Sequence, residues 1–324
     1  MKSHEVEGTT SGVYLDWAFK DVTMRPPLES LIGMVCARST GGKSNLFQSC
    51  PDAFIFNMDL AGTTLSPCRA SIWPAIDPAT GNPVERSGNQ MMPIQNFSFN
   101  HVMEKVELLI QMGHDGVQGR PKMIVMDTLD RLLFYVTQQY LADNKISRLK
   151  QAGNTFDAWD AIYTPIITLP QRFRNAGYGF WWTVQLGEKM VDSKGEQGRQ
   201  LVKDRPLITD NLFSKIFPAA EVSAIVEPRE IKEKTLIIIK DPVTKKPIML
   251  PNGKPKTEIR VTSTERRVLA FDSREVIKRR GDIPPEIILY PQKDAWAIFK
   301  AAYEKAQQGE DLPPVTTETA TESV

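Results

Sequence analysis

A chain of 324 residues, 41% of them hydrophobic, is long enough to bury a sizeable core in one or two domains. Forty Lys and Arg against thirty-nine Asp and Glu leave a net charge of +1, so overall charge argues neither for nor against a polyanionic partner and only local clusters can. Three cysteines, Cys36, Cys50 and Cys68, with no CxxC or His-paired spacing, weigh against a zinc site or a disulfide framework.

That cysteine usage favours a reducing cytoplasm. The absence of a long apolar segment, and of a signal-type hydrophobic region in residues 1–10, gives the expectation of no membrane partner.

In chain order, residues 1–24 read as an extension. The apolar run 31–37 (LIGMVCA) is the first strand, and a short helix-compatible run, 44–49, follows it. Residues 54–58 (FIFNM) form the second strand, and 69–73 a candidate third. Residues 77–95 are turn-rich and read as a surface loop. Val102, Val106, Leu109 and Ile110 have helical spacing, which predicts a helix over 99–112. Residues 123–126 (MIVM) are a strand ending in Asp127, followed by helices over 129–142 and 159–176. Residues 180–184 (FWWTV) are a strand ending in Gln185, and 222–226 another.

From about residue 230 the pattern changes. Residues 235–240, 247–250 and 257–263 read as strands joined by Asp-Pro and Pro-Asn-Gly turns, an antiparallel meander appended to the core. Residues 295–306 form a closing amphipathic helix with Trp296, Phe299 and Tyr303 on one face. Residues 309–324 are rich in Pro, Thr and Glu and read as a disordered acidic tail. The division expected is 1–24, 25–308 (core 25–228, extension and closing helix 229–308) and 309–324. Short apolar strands alternating with helices predict an α/β fold whose mostly parallel sheet is covered on both faces. Ligands gather at the carboxyl ends of such strands.

Between the first strand and its helix lies Ala37-Arg38-Ser39-Thr40-Gly41-Gly42-Lys43-Ser44, followed by Asn45. Strand, Gly-rich loop and helix in this order predict a P-loop with Ala37 at the usual first glycine. Backbone N–H groups would turn around a β-phosphate, Lys43 would reach the β/γ-phosphates, and the Ser44 hydroxyl would sit on Mg²⁺. A chance Gly-rich turn is the alternative. Asp127, at a strand end, is the expected second holder of Mg²⁺. Asp59, ending the second strand, would orient and deprotonate an attacking water, or simply enter a loop. Gln185 would sense the γ-phosphate, or be a surface glutamine. Trp181, Trp182, Trp159 and Tyr163 read as core. The three histidines have no metal or triad partner in the sequence.

The order of P-loop, FIFNMD, MIVMDT and WWTVQ resembles the RecA-like P-loop ATPases, and more closely their compact phage branch of single-strand annealing and recombination proteins. The resemblance covers about residues 31–288. It implies a RecA-like core, bound ATP and Mg²⁺, and DNA-stimulated ATP hydrolysis at subunit interfaces. It also implies self-assembly into a ring or filament on single-stranded DNA, with a single-strand-binding protein as a further partner, in a host cytoplasm. Asp59 takes the catalytic-acid position, where many relatives have Glu. Gln185 takes the sensing position, and Lys278 and Arg280 would reach ATP on a neighbouring protomer. Two loops would contact DNA: one with Lys145, Arg148 and Lys150, the other with Lys189, Lys194, Arg199, Lys203 and Arg205. A third basic run, 232–280, contains interspersed acids and few aromatics, which argues for a solvated face rather than base stacking. Two other functions stay open: an ATP-switched loader or scaffold with little hydrolysis, and a small-molecule kinase, for which no Arg-rich lid is evident.

Overall fold

The computed structural model describes residues 26–192, 199–242, 244–271, 277 and 283–308, with backbone alone at 189–192, 199–203 and 233–236. Both terminal segments named above therefore lie outside the described residues. Among the described residues the core is one nine-stranded mixed sheet. Its strands are β1 (Ile32–Ala37), β2 (Ala53–Asn57), β3 (Ser71–Trp73), β7 (Met123–Asp127), β8 (Gly179–Asp192), β9 (Arg199–Pro206), β10 (Val222–Ile238), β11 (Thr257–Ala270) and β12 (Glu286–Ile288). The order is β12-β11-β10-β1-β8-β7-β2-β3, with β9 paired to β8. The six strands from β10 to β3 run parallel, whereas β11, β12 and β9 add antiparallel pairings.

Apolar residues on both faces of the parallel strands require two covering layers. Met34, Phe56, Met126, Phe180 and Trp182 face one core, under α2 (Phe99–His114), α3 (Leu129–Asp143), α4 (Thr155–Asn175) and α5 (Asp210–Ile216). Val35, Ile55, Val125 and Trp181 face the other, under α1 (Lys43–Gln48) and α6 (Ala295–Gln308). The alternation along each strand is the period-2 signature of a doubly covered sheet. Trp181 and Trp182 are buried, and Tyr163 stacks on the half-buried Trp159 at 5.2 Å.

Several elements differ from the sequence reading. Residues 77–95 are not a plain loop: with β4 (Ala75–Ile76), β5 (Pro83–Ser87) and β6 (Gln90–Pro93) the segment builds a separate three-stranded antiparallel sheet. Its strands are short and largely exposed, so they carry no apolar run to announce them. Helix α4 starts at Thr155, earlier than hydrophobic spacing suggested, because Asn154 Oδ1 accepts from Phe156 N at 3.0 Å and caps it. Strands expected at 222–226 and 235–240 are a single 17-residue strand, β10, whose charged middle pairs with β11. Likewise β8 does not end at Gln185 but continues to Asp192 as a hairpin arm with β9.

Candidate functional site

Strand β1 delivers the chain into the Gly-rich loop at the carboxyl edge of the sheet. Gly41 N donates to Arg38 O at 2.9 Å, closing a tight turn. Thr40 (φ 62°) and Gly42 (φ 101°) adopt the left-handed region that folds the chain back before α1. A Cβ on Gly41 would stand 2.7 Å from Ala37 Cβ and 2.9 Å from Arg38 O, so this position is closed to any other residue. Ala37 ends β1 and is not among the residues with positive φ, which is why a Cβ is tolerated there. The N–H groups of Lys43, Ser44 and Asn45 fall in the first turn of α1, where no intrahelical acceptor exists.

Thr40, Gly41, Gly42, Lys43, Ser44 and Asn45 share one cavity of about 270 Å³ with Asp59 and Asp127. Lys43 is only 8% exposed and makes no ion pair among the described residues. A buried ammonium without a carboxylate partner is suited to an entering anion. Asn57 pins the opposite wall: its side-chain amide donates to Ala61 O at 2.7 Å and its Oδ1 accepts from Ala61 N at 3.2 Å. Thr64 Oγ1 donates to Asn45 Oδ1 at 2.5 Å, which ties the same loop to α1.

Asp127 ends β7 and is 8% exposed. Thr183, fully buried on the neighbouring β8, donates to Asp127 Oδ1 at 2.5 Å and fixes the carboxylate. The Asp127–Thr128 peptide bond is cis. Ser44 and Asp127 thus offer one hydroxyl and one carboxylate to the same space. Among the described residues no group of three or more His, Cys, Asp or Glu could hold a metal ion. The donor set suits Mg²⁺, which keeps most of its shell as water and phosphate oxygens.

Asp59 Oδ1 accepts from Arg131 Nε at 3.1 Å and from Thr128 Oγ1 at 3.4 Å. Burial pushes its carboxyl above the ordinary range, and Asp127 and Asp130 push it further, against the pull of Lys43 and Arg131. Asp130 Oδ1 is buried and has no hydrogen-bond partner among the described residues.

The other expected residues fall elsewhere. Arg38 and Ser39 line a second cavity of about 500 Å³, which shares Thr40 and Gly41 with the first, together with Leu186, Asp204 and Arg267. Arg38 Nε donates to Asp204 Oδ1 at 2.8 Å, linking the loop to β9. Arg267 Nη2 donates to Thr40 O at 3.4 Å. Gln185 pairs with Ala37 across the β1–β8 ladder, half-buried, and lines neither cavity. Lys145, Arg148 and Lys150 are exposed in the connection between α3 and α4. Lys189, Arg199 and Lys203 lie on the backbone of the β8–β9 arm, and Arg205 is half-buried beside Asp204. Lys194, Lys278 and Arg280 lie outside the described residues.

Sequence reasoning missed Thr183, Arg131, Arg267 and Asn57. Thr183 and Asn57 left a trace, each a lone polar residue inside an apolar strand run. Arg131 and Arg267 left none, since their roles depend on elements meeting in space.

The fold and the site define a class: an α/β protein with a large, mostly parallel sheet and a Gly-rich loop cavity at the carboxyl edge of its strands. Comparison with models of known families and with curated proteins returns no match for this chain. No helix among the described residues is long and apolar enough to cross a membrane.

Proposed function

We propose that the protein is an ATPase with a RecA-like core, which binds ATP with Mg²⁺ in the Gly-rich loop cavity and couples hydrolysis to single-stranded DNA in phage-type recombination or annealing. The observation that carries this reading is the shared cavity: Lys43 and Ser44, Asp59 and Asp127, from three separate segments of the chain, line one space. When bound, Mg²⁺ would neutralise charge on the transferred phosphoryl group, with Ser44 and Asp127 as its holders. Lys43 would stabilise the phosphate tail. Asp59 would accept the proton of the attacking water, a role that suits a carboxyl held above its ordinary range.

Support for the DNA partner rests on placement. The β8–β9 arm and the 144–154 connection carry the basic residues named above, and the Arg38–Asp204 pair connects the arm to the loop. Lys278 and Arg280 remain the proposed cations for ATP on a neighbouring protomer. ATP turnover measured with increasing single-stranded DNA, at fixed salt, tests the reading. Stimulation is expected, and turnover indifferent to DNA contradicts it.

One observation favours a second reading, an ATP-switched loader or scaffold. Asp59 is engaged by Arg131 at 3.1 Å and is one methylene shorter than Glu. Tight ATP binding with near-zero turnover, with or without DNA, would select it.

A further inference from the structure

Beyond residue 231, β10 and β11 leave the body of the molecule as a two-stranded ribbon. Every β11 residue from Thr257 to Ser263 is exposed, as are Lys232, Ile237 and Ile238 on β10. At about 3.4 Å per residue, the stretch from Lys232 to Lys240 alone spans roughly 30 Å. The end of the ribbon is structured. Ile239 N donates to Lys256 O at 2.9 Å and Ile248 N donates to Ile239 O at 2.9 Å. Lys256 N donates to Ile248 O at 2.7 Å, so residues 247–250, expected as a strand, instead fold back through two isolated bridges, Lys240 to Pro247 and Met249 to Pro255.

The charge of this ribbon is set apart from that of the chain. Residues 232–263 hold eight Lys and Arg against three Asp and Glu, a net of +5 where the whole chain has +1. The remainder of the chain is therefore acidic overall, and the cations concentrate on the projection. Lys240, Lys245, Lys246, Lys254, Lys256 and Arg260 are exposed and make no ion pair among the described residues. At the tip, Ile248, Met249 and Leu250 are 37%, 57% and 41% exposed.

We infer that this ribbon is a binding arm for duplex DNA, distinct from the loops proposed for single strands. A two-stranded β-ribbon is the width that the B-DNA major groove, about 12 Å across, admits. The exposed lysines, without an ion-pair partner among the described residues, supply the sequence-independent phosphate contacts. Exposed Ile, Met and Leu at the tip supply apolar contacts to thymine methyls or a wedge at a base step. Groove binding needs no aromatic platform, so the scarcity of aromatics here is no obstacle. Two copies of the same ribbon placed face to face would bring like charges together, which disfavours self-pairing.

The test uses the full chain without nucleotide, so its outcome is independent of the ATPase reading. Binding of a short blunt-ended duplex DNA is followed by fluorescence anisotropy over a salt series. Two variants are compared with the parent: K245Q/K246Q/K254Q/K256Q, and an arm in which residues 239–256 are replaced by Asn-Gly, which suits the Ile238–Thr257 pair as a two-residue hairpin. Loss of four phosphate contacts should weaken binding about tenfold or more and lower the log–log salt slope by about 3.6. The charge variant should keep the parent's melting temperature, because its four lysines are exposed. Unchanged affinity and slope in the charge variant would overturn the inference. So would a shortened arm that alters only the oligomeric state in sedimentation, since the tip would then be a self-association surface.

Discussion

Thr183 offers the most selective probe of the cavity at the scale of single residues. It touches no ligand position directly, yet its hydroxyl holds Asp127 in place. Thr183→Val keeps the shape and removes the donor. Second-layer changes of this kind typically cost 10–100-fold in metal affinity or activity. The Mg²⁺ concentration for half-maximal turnover should rise about tenfold. An unchanged Mg²⁺ titration would detach Asp127 from any metal role.

Asp59 gives a second residue-scale prediction, with a sign. Its folded carboxyl titrates above its ordinary value of 3.8, so the folded state holds the proton more tightly than the unfolded chain. Stability therefore falls as pH rises through the window just above 3.8, and ionised Asp59 is a liability at neutral pH. Asp59→Asn should raise the melting temperature of the nucleotide-free protein at pH 7, with a difference that shrinks as pH falls toward 4, while abolishing turnover. A lower melting temperature at pH 7 would mean that the Arg131 pair, not burial, dominates.

Among elements, the junction between α1 and α6 holds the loop's scaffold. Ser49 Oγ accepts from Trp296 N at 2.8 Å and donates to Leu46 O at 2.7 Å, and both Ser49 and Trp296 are buried. One hydroxyl thus satisfies the start of α6 and the end of α1 across 247 residues of chain. Ser49→Ala should cost about 1–2 kcal/mol in denaturant unfolding, by leaving a buried N–H unpaired. A loss below a few tenths would show that α6 is held by its aromatic packing alone.

Elements also show where the sequence was legible. Buried strands β1, β2, β7 and the first half of β8 announce themselves as apolar runs, and the Gly-rich loop has a spacing of its own. The outer part of β8 and the charged middle of β10, 227–234, do not, because charged residues interrupt the apolar run there; only 235–240 beyond it read as a strand. The β4–β6 sheet was hidden because its strands are short and largely exposed. Asp127 was readable as the last residue of a recognisable strand, Asp59 as the acid two residues beyond β2, and Lys43 and Ser44 through the spacing of the Gly-rich loop that leads into α1. Arg131 and Thr183 gain their roles only when α3 and β8 lie beside β7 and the Asp59 loop.

For the molecule as a whole, the question is how an event in the loop would reach the β8–β9 arm. Arg38, which does not line the main cavity, bonds Asp204, whose own φ is 59°. Both side chains are partly exposed, so the pair contributes little to stability. Its value is mechanical, because it is a direct tie between the loop and β9. Arg38→Ala should leave ATP affinity within about twofold, in keeping with a surface pair, and reduce stimulation by single-stranded DNA severalfold. Stimulation equal to the parent's would remove this route.

The most direct measurement is a calorimetric titration of ATP, in the presence of Mg²⁺, into the parent chain and into Lys43→Ala. The account predicts a single saturable site in the parent and loss of measurable binding in the variant, with both chains equally folded by circular dichroism. Equal affinity in the two, or no binding to the folded parent, would contradict it.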